Sequence, residues 1–153
     1  MARFPVILKI AHLRYKMIEA LLCLALNVYF EARGDDVLSQ VATAQVVMNR
    51  VKDERYPNQV CDVVFQSEKH ENGFPKKNRC QFSWYCDGKS DQPTDKKAWK
   101  QSQAVAKLVL NGQIADLTGG ATHYHAFWVQ PVWRIKKTFT GRIGDHLFFR
   151  WEK

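Results

Sequence analysis

Glu31 is the residue of this chain whose surroundings most suggest proton chemistry. It lies in "ALNVYFEARGDD", residues 25–36, a largely apolar run holding one carboxylate shortly before a glycine. Burial disfavours the charged form of a carboxylate. The negative end of a helix dipole disfavours an anion in the last turn by roughly 0.3–1 kcal/mol. Both effects raise the pKa toward the range a general acid needs near neutral pH. Leu24 and Asn27 share the face of Glu31 at helical spacing, whereas Arg33 is too near in sequence to face it. An ordinary surface glutamate at a helix end fits the same twelve residues, so this segment alone leaves both readings open.

Two further segments carry chemically useful groups. "CQFSWYCDG", residues 80–88, sets Gln81, Ser83 and Trp84 in one aromatic loop. Aromatic faces stack on sugar rings while amides bond hydroxyl and acetamido groups, although a loop pinned by buried aromatics reads the same way. "DLTGGATHYHA", residues 116–126, combines Asp116 and Gly119–Gly120 in a tight turn before a strand. In that strand His123 and His125 face one side and Tyr124 the other. Two histidines on one strand face could hold zinc, with His146 and Asp116 or Asp145 completing the set. That arrangement would make a zinc-dependent wall amidase or peptidase, but no HExxH is present.

The elements that position these groups follow from periodicity. Residues 17–33 read as a strongly apolar helix ended by Gly34. Asp35 or Asp36 starts a second helix over about 37–52, with Val37, Val41, Ala44, Met48 and Val51 at helical spacing. "YPNQ" is a turn, "VCDVVFQ" a short buried segment of either type, and 67–93 irregular. Thr94 or Asp95 caps a third helix near 95–111, closed by Gly112. The alternating, aromatic stretches "GGATHYHAFWV" and "RIGDHLFFRW" predict two or three short antiparallel strands. Helices first and a small sheet last give an α+β class. The division expected is an amphipathic helix or arm over 1–19 packed on the domain, then one domain over 20–153.

Composition narrows the classes. The 153 residues are 46% hydrophobic and 25% charged, as in an ordinary globular chain. No apolar run is long enough to span a membrane, so no stable membrane insertion is expected. A net charge of +8 favours polyanionic partners such as nucleic acid, an anionic membrane face or a cell wall. No helix concentrates Lys and Arg on one face and no nucleic-acid motif occurs, so nucleic acid is not an expected partner. Cys23 reads as a small core residue. One disulfide among Cys61, Cys80 and Cys86 suits a protein working outside the cytoplasm, with the pairing open. The N terminus carries Lys9, His12, Arg14 and Lys16 within its apolar stretch, unlike an ordinary signal peptide.

Together these segments resemble the bacterial and phage cell wall hydrolases of the spore cortex-lytic (SleB/CwlJ) type. "LALNVYFEARGDD", "QVATAQVVMNRV", "YPNQVCDVVFQ", "CQFSWYCDG", "DLTGGATHYHA" and "RIGDHLFF" occur in the family's order across about residues 20–149. The resemblance implies a lysozyme and lytic-transglycosylase-like fold: a helical core with a small antiparallel sheet. It implies cleavage of the β-1,4 bond between N-acetylmuramic acid and N-acetylglucosamine in peptidoglycan, with the catalytic glutamate at Glu31 and no cofactor. Asn27, Gln81, Ser83, Trp84, His123, Tyr124 and His125 would contact the glycan. One glutamate suffices for a lytic transglycosylase; a hydrolytic muramidase needs a second carboxylate or a positioned water. Asp35, Asp36, Asp87 and Asp116 are the candidates for that carboxylate. Asp35 stands where relatives often carry Glu, and His123 and His125 replace other aromatics. With no wall-binding repeat before the domain, the chain looks like a compact, monomeric phage endolysin. It would act on the wall, periplasmic or extracellular, and reach it by a route such as phage lysis.

Overall fold

The computed structural model describes residues 6–152. Four α-helices precede a three-stranded sheet, with a two-stranded hairpin between the third and fourth helices. Helix α1, Val6–Ala32, is about 40 Å long at 1.5 Å per residue. Only its C-terminal half enters the core, through Leu24, Ala25, Val28, Tyr29 and Ala32. Gly34 ends it with φ +92°, a left-handed conformation that favours glycine.

The expected N-terminal arm differs from the structure. Residues 1–5 of it lie outside the described residues, and residues 8–19 are exposed rather than packed on the domain. Arg14 and Lys16 fall on opposite sides of the helix, about 200° apart at 100° per residue. No uninterrupted apolar face is therefore available to bury.

Helix α2, Val37–Lys52, starts where Asp36 accepts hydrogen bonds from the Ser39 amide (3.0 Å) and hydroxyl (2.7 Å). A cap of this type contributes about 1 kcal/mol. Every residue from Ser39 to Val47 is buried, because α2 has packing on both sides. Val41, Ala44 and Val47 join the helical core with α1, α3 (Val60–Val64) and α4 (Lys96–Leu110). Ala42 and Val46 instead meet Ala121 and Phe148 beneath the sheet. Asp95 caps α4 by accepting from the Ala98 amide at 3.0 Å.

Strands β1 (Ser67–Lys69) and β2 (Pro75–Cys80) form an antiparallel hairpin where irregular chain was expected. Their residues are mostly polar and exposed, so no alternating pattern marks them. In the second sheet β5 (His146–Arg150) lies between β3 (His123–Ala126) and β4 (Thr138–Ile143), all antiparallel. Its β4–β5 turn packs closely on the start of α2. A Cβ at Gly144 would sit 2.3 Å from the Ser39 hydroxyl, so glycine is required there.

Two disulfides close the chain: Cys80 pairs with Cys86, and Cys61 pairs with Cys23. Cys23 is thus not a free core thiol; it staples α1 to α3. The bridged residues are 38 apart in one case and 6 in the other. Loop-closure entropy assigns about 4 kcal/mol to the first and about 2 kcal/mol to the second. The paired change Cys23→Ala/Cys61→Ala should therefore lower the urea midpoint more than Cys80→Ala/Cys86→Ala. The reverse order would contradict the staple role of Cys23.

Candidate active site

The last turn of α1 and strand β3 meet at one hydrogen bond. The Tyr124 hydroxyl donates to Oε2 of Glu31 at 2.6 Å. Burial pushes the Glu31 pKa above its ordinary value of 4.5, and the Tyr124 bond and the positive charge of Arg50 oppose that rise without cancelling it. Tyr124 is held well above the usual phenol range by its own burial and then by Glu31. It therefore stays a donor across the physiological range. A protonated Glu31 with one oxygen fixed by Tyr124 has its other oxygen left to carry the acidic proton.

The neighbouring cations divide the work. Arg33 turns away from Glu31: its guanidinium donates to the Tyr29 hydroxyl and covers that ring at 4.5 Å from the centroid. The same hydroxyl accepts from the amides of Thr94 (3.2 Å) and Asp95 (3.0 Å), tying α1 to the start of α4. Arg50 of α2 is the buried cation, 5% exposed. Its Nε donates to the Thr122 carbonyl at 2.8 Å, and its guanidinium lies 5.2 Å from the Tyr56 ring centroid and 5.1 Å from that of Phe82. Arg50 lies near the end of "QVATAQVVMNRV" and is not among the expected site residues. An arginine among residues that all read as core is the signal that could have found it.

Helix α2 also sets the turn that leads into β3. Gln45 donates to the Ala115 carbonyl at 2.9 Å and accepts from the Leu117 amide at 2.8 Å. The Asn49 amide nitrogen reaches Asp116 Oδ2 (3.1 Å), Thr118 Oγ1 (3.1 Å) and the Ala121 carbonyl (3.0 Å). These bonds, with Arg50 on Thr122, deliver Tyr124 to Glu31. Gln45 and Asn49 act on the site through position, and Arg50 through both position and charge.

Several expected contacts have other roles. Asn27 is fully buried and accepts from the Trp84 indole at 3.0 Å, and Trp84 stacks on Phe30 at 4.9 Å. This pair ties the turn after β2 to α1 within the core and leaves Asn27 no surface to offer a glycan. Gln81 and Ser83 remain exposed on the loop after β2. His123 and His125 face away from Glu31, because alternation along β3 puts them opposite Tyr124. Their rings pack on Trp133 at 5.1 and 5.6 Å, and His125 also stacks on Phe149. His123 is held neutral, its pKa pushed down to about 3 by burial and then by Arg50, Lys137 and Arg55. His125 Nδ1 bonds the Ala126 carbonyl at 2.8 Å. Among the described residues no group of three His, Cys, Asp or Glu side chains could hold a metal, so the two histidines form no zinc site with His146, Asp116 or Asp145.

Of the four candidate second carboxylates, Asp36 caps α2 and Asp87 accepts from the Lys89 amide in its own loop at 2.8 Å. Burial would raise the Asp116 pKa, but donors from Thr118, Gly120 and Asn49 outweigh it and hold the carboxylate below its ordinary value. Asp35 alone is linked to the Glu31 cluster. It lies 3.8 Å from Nδ1 of His146, whose ring meets Tyr124 edge-on at 5.2 Å. Burial raises its pKa, His146 offsets that in part, and Asp145 and Asp36 add to the rise.

A family model described as Cell Wall Hydrolase matches residues 34–149. The spore cortex-lytic enzyme of Halalkalibacterium halodurans is 33% identical over 131 residues, covering 82% of this chain and 33% of that protein. The spore cortex-lytic enzyme of Bacillus cereus is 32% identical over 132 residues, covering 79% and 40%. The chain thus spans about a third to two fifths of these curated relatives. Among solved structures, the catalytic domain of the germination-specific lytic transglycosylase SleB from Bacillus anthracis superposes with a TM-score of 0.62 at 29% identity, covering 86% of this chain and 93% of that domain. The Bacillus cereus SleB catalytic domain gives 0.58 at 27% identity, covering 86% and 91%. The architecture is the lysozyme-like α+β fold.

The raised pKa of Glu31 has a measurable sign. The folded chain keeps the Glu31 proton over a range in which the unfolded chain has lost it, so stability falls as pH rises from 4.5 through the folded pKa. Glu31→Gln removes that loss. Its melting temperature should exceed that of the parent chain at pH 7, and the difference should close toward pH 4. A gap independent of pH would show that Glu31 is not protonated preferentially in the folded state.

Proposed function

Because the chain belongs to the cell wall hydrolase family, we propose that it is a peptidoglycan glycosidase acting as a lytic transglycosylase. It cleaves the β-1,4 bond between N-acetylmuramic acid and N-acetylglucosamine, and residues 20–153 form the catalytic domain. The observation that carries this reading is the buried Glu31 carboxyl held by Tyr124 at 2.6 Å. Three of the four other candidate carboxylates are engaged elsewhere. The SleB catalytic domain with which the fold superposes is described as a lytic transglycosylase, in agreement with this reading.

Protonated Glu31 donates to the glycosidic oxygen as the bond to C1 of the muramic acid breaks and positive charge grows on the ring. Glu31 is now an anion. It takes the proton of the C6 hydroxyl as that oxygen attacks C1, giving a 1,6-anhydromuramic end and a protonated enzyme ready for the next cycle. Neither water nor a second carboxylate enters the balance. Tyr124 keeps the carboxyl oriented in both halves, and Arg50 stabilises the anion between them. The protein acts as a monomer on glycan strands of the wall, in the periplasm or outside the cell. Two disulfides fit an oxidising compartment, and a net charge of +8 draws the chain to an anionic wall.

The Asp35–His146 pair near Tyr124 favours one second reading, a hydrolytic muramidase in which Asp35 assists water. Mass analysis of the released muropeptides separates the two. Anhydro ends are expected; reducing ends would transfer the assignment to the muramidase, and intact glycan with freed peptides would overturn both. Glu31→Gln should lower the lytic rate roughly 10²–10⁴-fold, the usual share of a general acid. Full lytic activity in that variant would remove Glu31 from the mechanism.

A further inference from the structure

Between β3 and β4 the chain carries a segment that the site described above does not use. It runs from Phe127 to Lys137 and includes the 3₁₀ turn Val132–Lys136. Its inner side is anchored. The Phe127 amide donates to the Asp145 carbonyl at 2.8 Å, the Val129 amide to the Ala126 carbonyl at 2.9 Å, and Trp133 seats against His123, His125 and Phe149. Its outer side is aromatic: Trp128 is 66% exposed and meets Phe127 edge-on at 4.9 Å. The guanidinium of Arg142 covers the Phe127 ring at 4.4 Å, which fixes the base on which Trp128 stands.

Two features identify an occupant. The first is position. The segment leaves the sheet at the end where Glu31 is held. Asp145, which anchors Phe127, precedes His146, and His146 packs on Tyr124 and lies beside Asp35. The second is charge. From Phe127 to Gly144 the sequence holds Arg134, Lys136, Lys137 and Arg142 and no Asp or Glu. An exposed indole on a segment that carries hydrogen-bond donors suits a sugar, because the ring face stacks on carbohydrate while donors meet hydroxyl and acetamido oxygens. An acid-free cationic flank suits carboxylates on the same polymer.

We propose that this segment is a glycan-binding arm, with Trp128 as the platform for a sugar ring of the strand leaving Glu31 and Lys136 facing the carboxylates of its peptide stems. The assignment rests on the glycosidase reading for its choice of polymer. The binding step itself is independent of which residue does the chemistry. It also accounts for the two histidines of β3, which hold the arm in place through Trp133.

Co-sedimentation with insoluble peptidoglycan tests the arm without relying on turnover. The full chain carrying Glu31→Gln is compared with the same chain carrying Trp128→Ala, Trp128→Tyr or Lys136→Glu in addition. Two substrates are used: intact sacculi, and glycan stripped of its stems by an amidase. Trp128→Ala should raise the half-saturating glycan concentration roughly five- to tenfold on both substrates, and Trp128→Tyr should restore most of the loss. Lys136→Glu should weaken binding to intact sacculi only. The two positions changed in these comparisons besides Glu31, Trp128 and Lys136, are exposed, so unaltered thermal melts are expected to accompany the changes. Unchanged binding by Trp128→Ala on both substrates would overturn the arm, and an equal loss by Lys136→Glu on stripped glycan would overturn the role of Lys136. Lytic activity persisting in Glu31→Gln would instead overturn the catalytic assignment and leave these binding results standing.

Discussion

The Tyr124–Glu31 hydrogen bond joins the two halves of the molecule. One partner stands on the last turn of α1, packed in the helical core; the other stands on β3, over the smaller core made with α2. Neither half alone would give Glu31 its environment. Without the sheet, the carboxyl would face water at a helix end and behave as an ordinary acid. Without the helical core, nothing would hold the end of α1 against β3. The central position of α2, buried along both sides, follows from this requirement. One face packs against α1 while the other carries the sheet, and the side chains of Gln45, Asn49 and Arg50 set the turn that feeds β3.

A buried carboxyl that must give up a proton creates an electrostatic problem. Burial favours the neutral acid, which is useful before the proton moves and unfavourable afterwards, when an anion remains in a poorly solvated place. Two groups limit the difficulty. Tyr124 donates a hydrogen bond that persists in both states, and it is strongest toward the anion. Arg50 provides positive charge from within the protein, where screening by salt is weak. Arg50 is itself desolvated, and its burial is tolerated because the Thr122 carbonyl accepts its Nε–H and two aromatic rings flank its guanidinium. The acid is thus poised between opposing effects, as a group that acts first as acid and then as base requires.

Much of the frame was legible in the residues because the signals were local. The second helix was expected over about 37–52 and spans Val37–Lys52; Asp36 and Asp95 cap helices as their residue types suggest. Glu31 could be singled out because a carboxylate in an apolar helix is locally anomalous. Other features depend on contacts that no local pattern encodes. The β1–β2 hairpin is polar on nearly every residue, so neither period marks it. Cys23 reads as a core residue because its partner lies 38 positions away. Asn27 and Trp84 have the chemistry of sugar-binding groups and yet satisfy one another in the interior. Residue type alone cannot separate these two uses of an amide and an indole, although the bond takes up only the Asn27 carbonyl oxygen and leaves its buried Nδ2 without a protein partner.

Strand β3 shows how little chain is needed to keep chemistry and scaffolding apart. Successive side chains of a strand point to opposite faces, so three consecutive residues serve two environments. Tyr124 reaches through one face to Glu31. His123 and His125, on the other, pack around Trp133, and the neutrality of His123 removes a charge from a region already occupied by Arg50, Arg55 and Lys137. A register slip of one residue would exchange the two faces and put an imidazole where the phenol stands. The pairing of Tyr124 with Phe148 prevents that slip, since Phe148 is fully buried against Ala42 and Val46 and has no other place to go. The position of the acid's hydrogen-bond partner is therefore specified by hydrophobic packing one strand away.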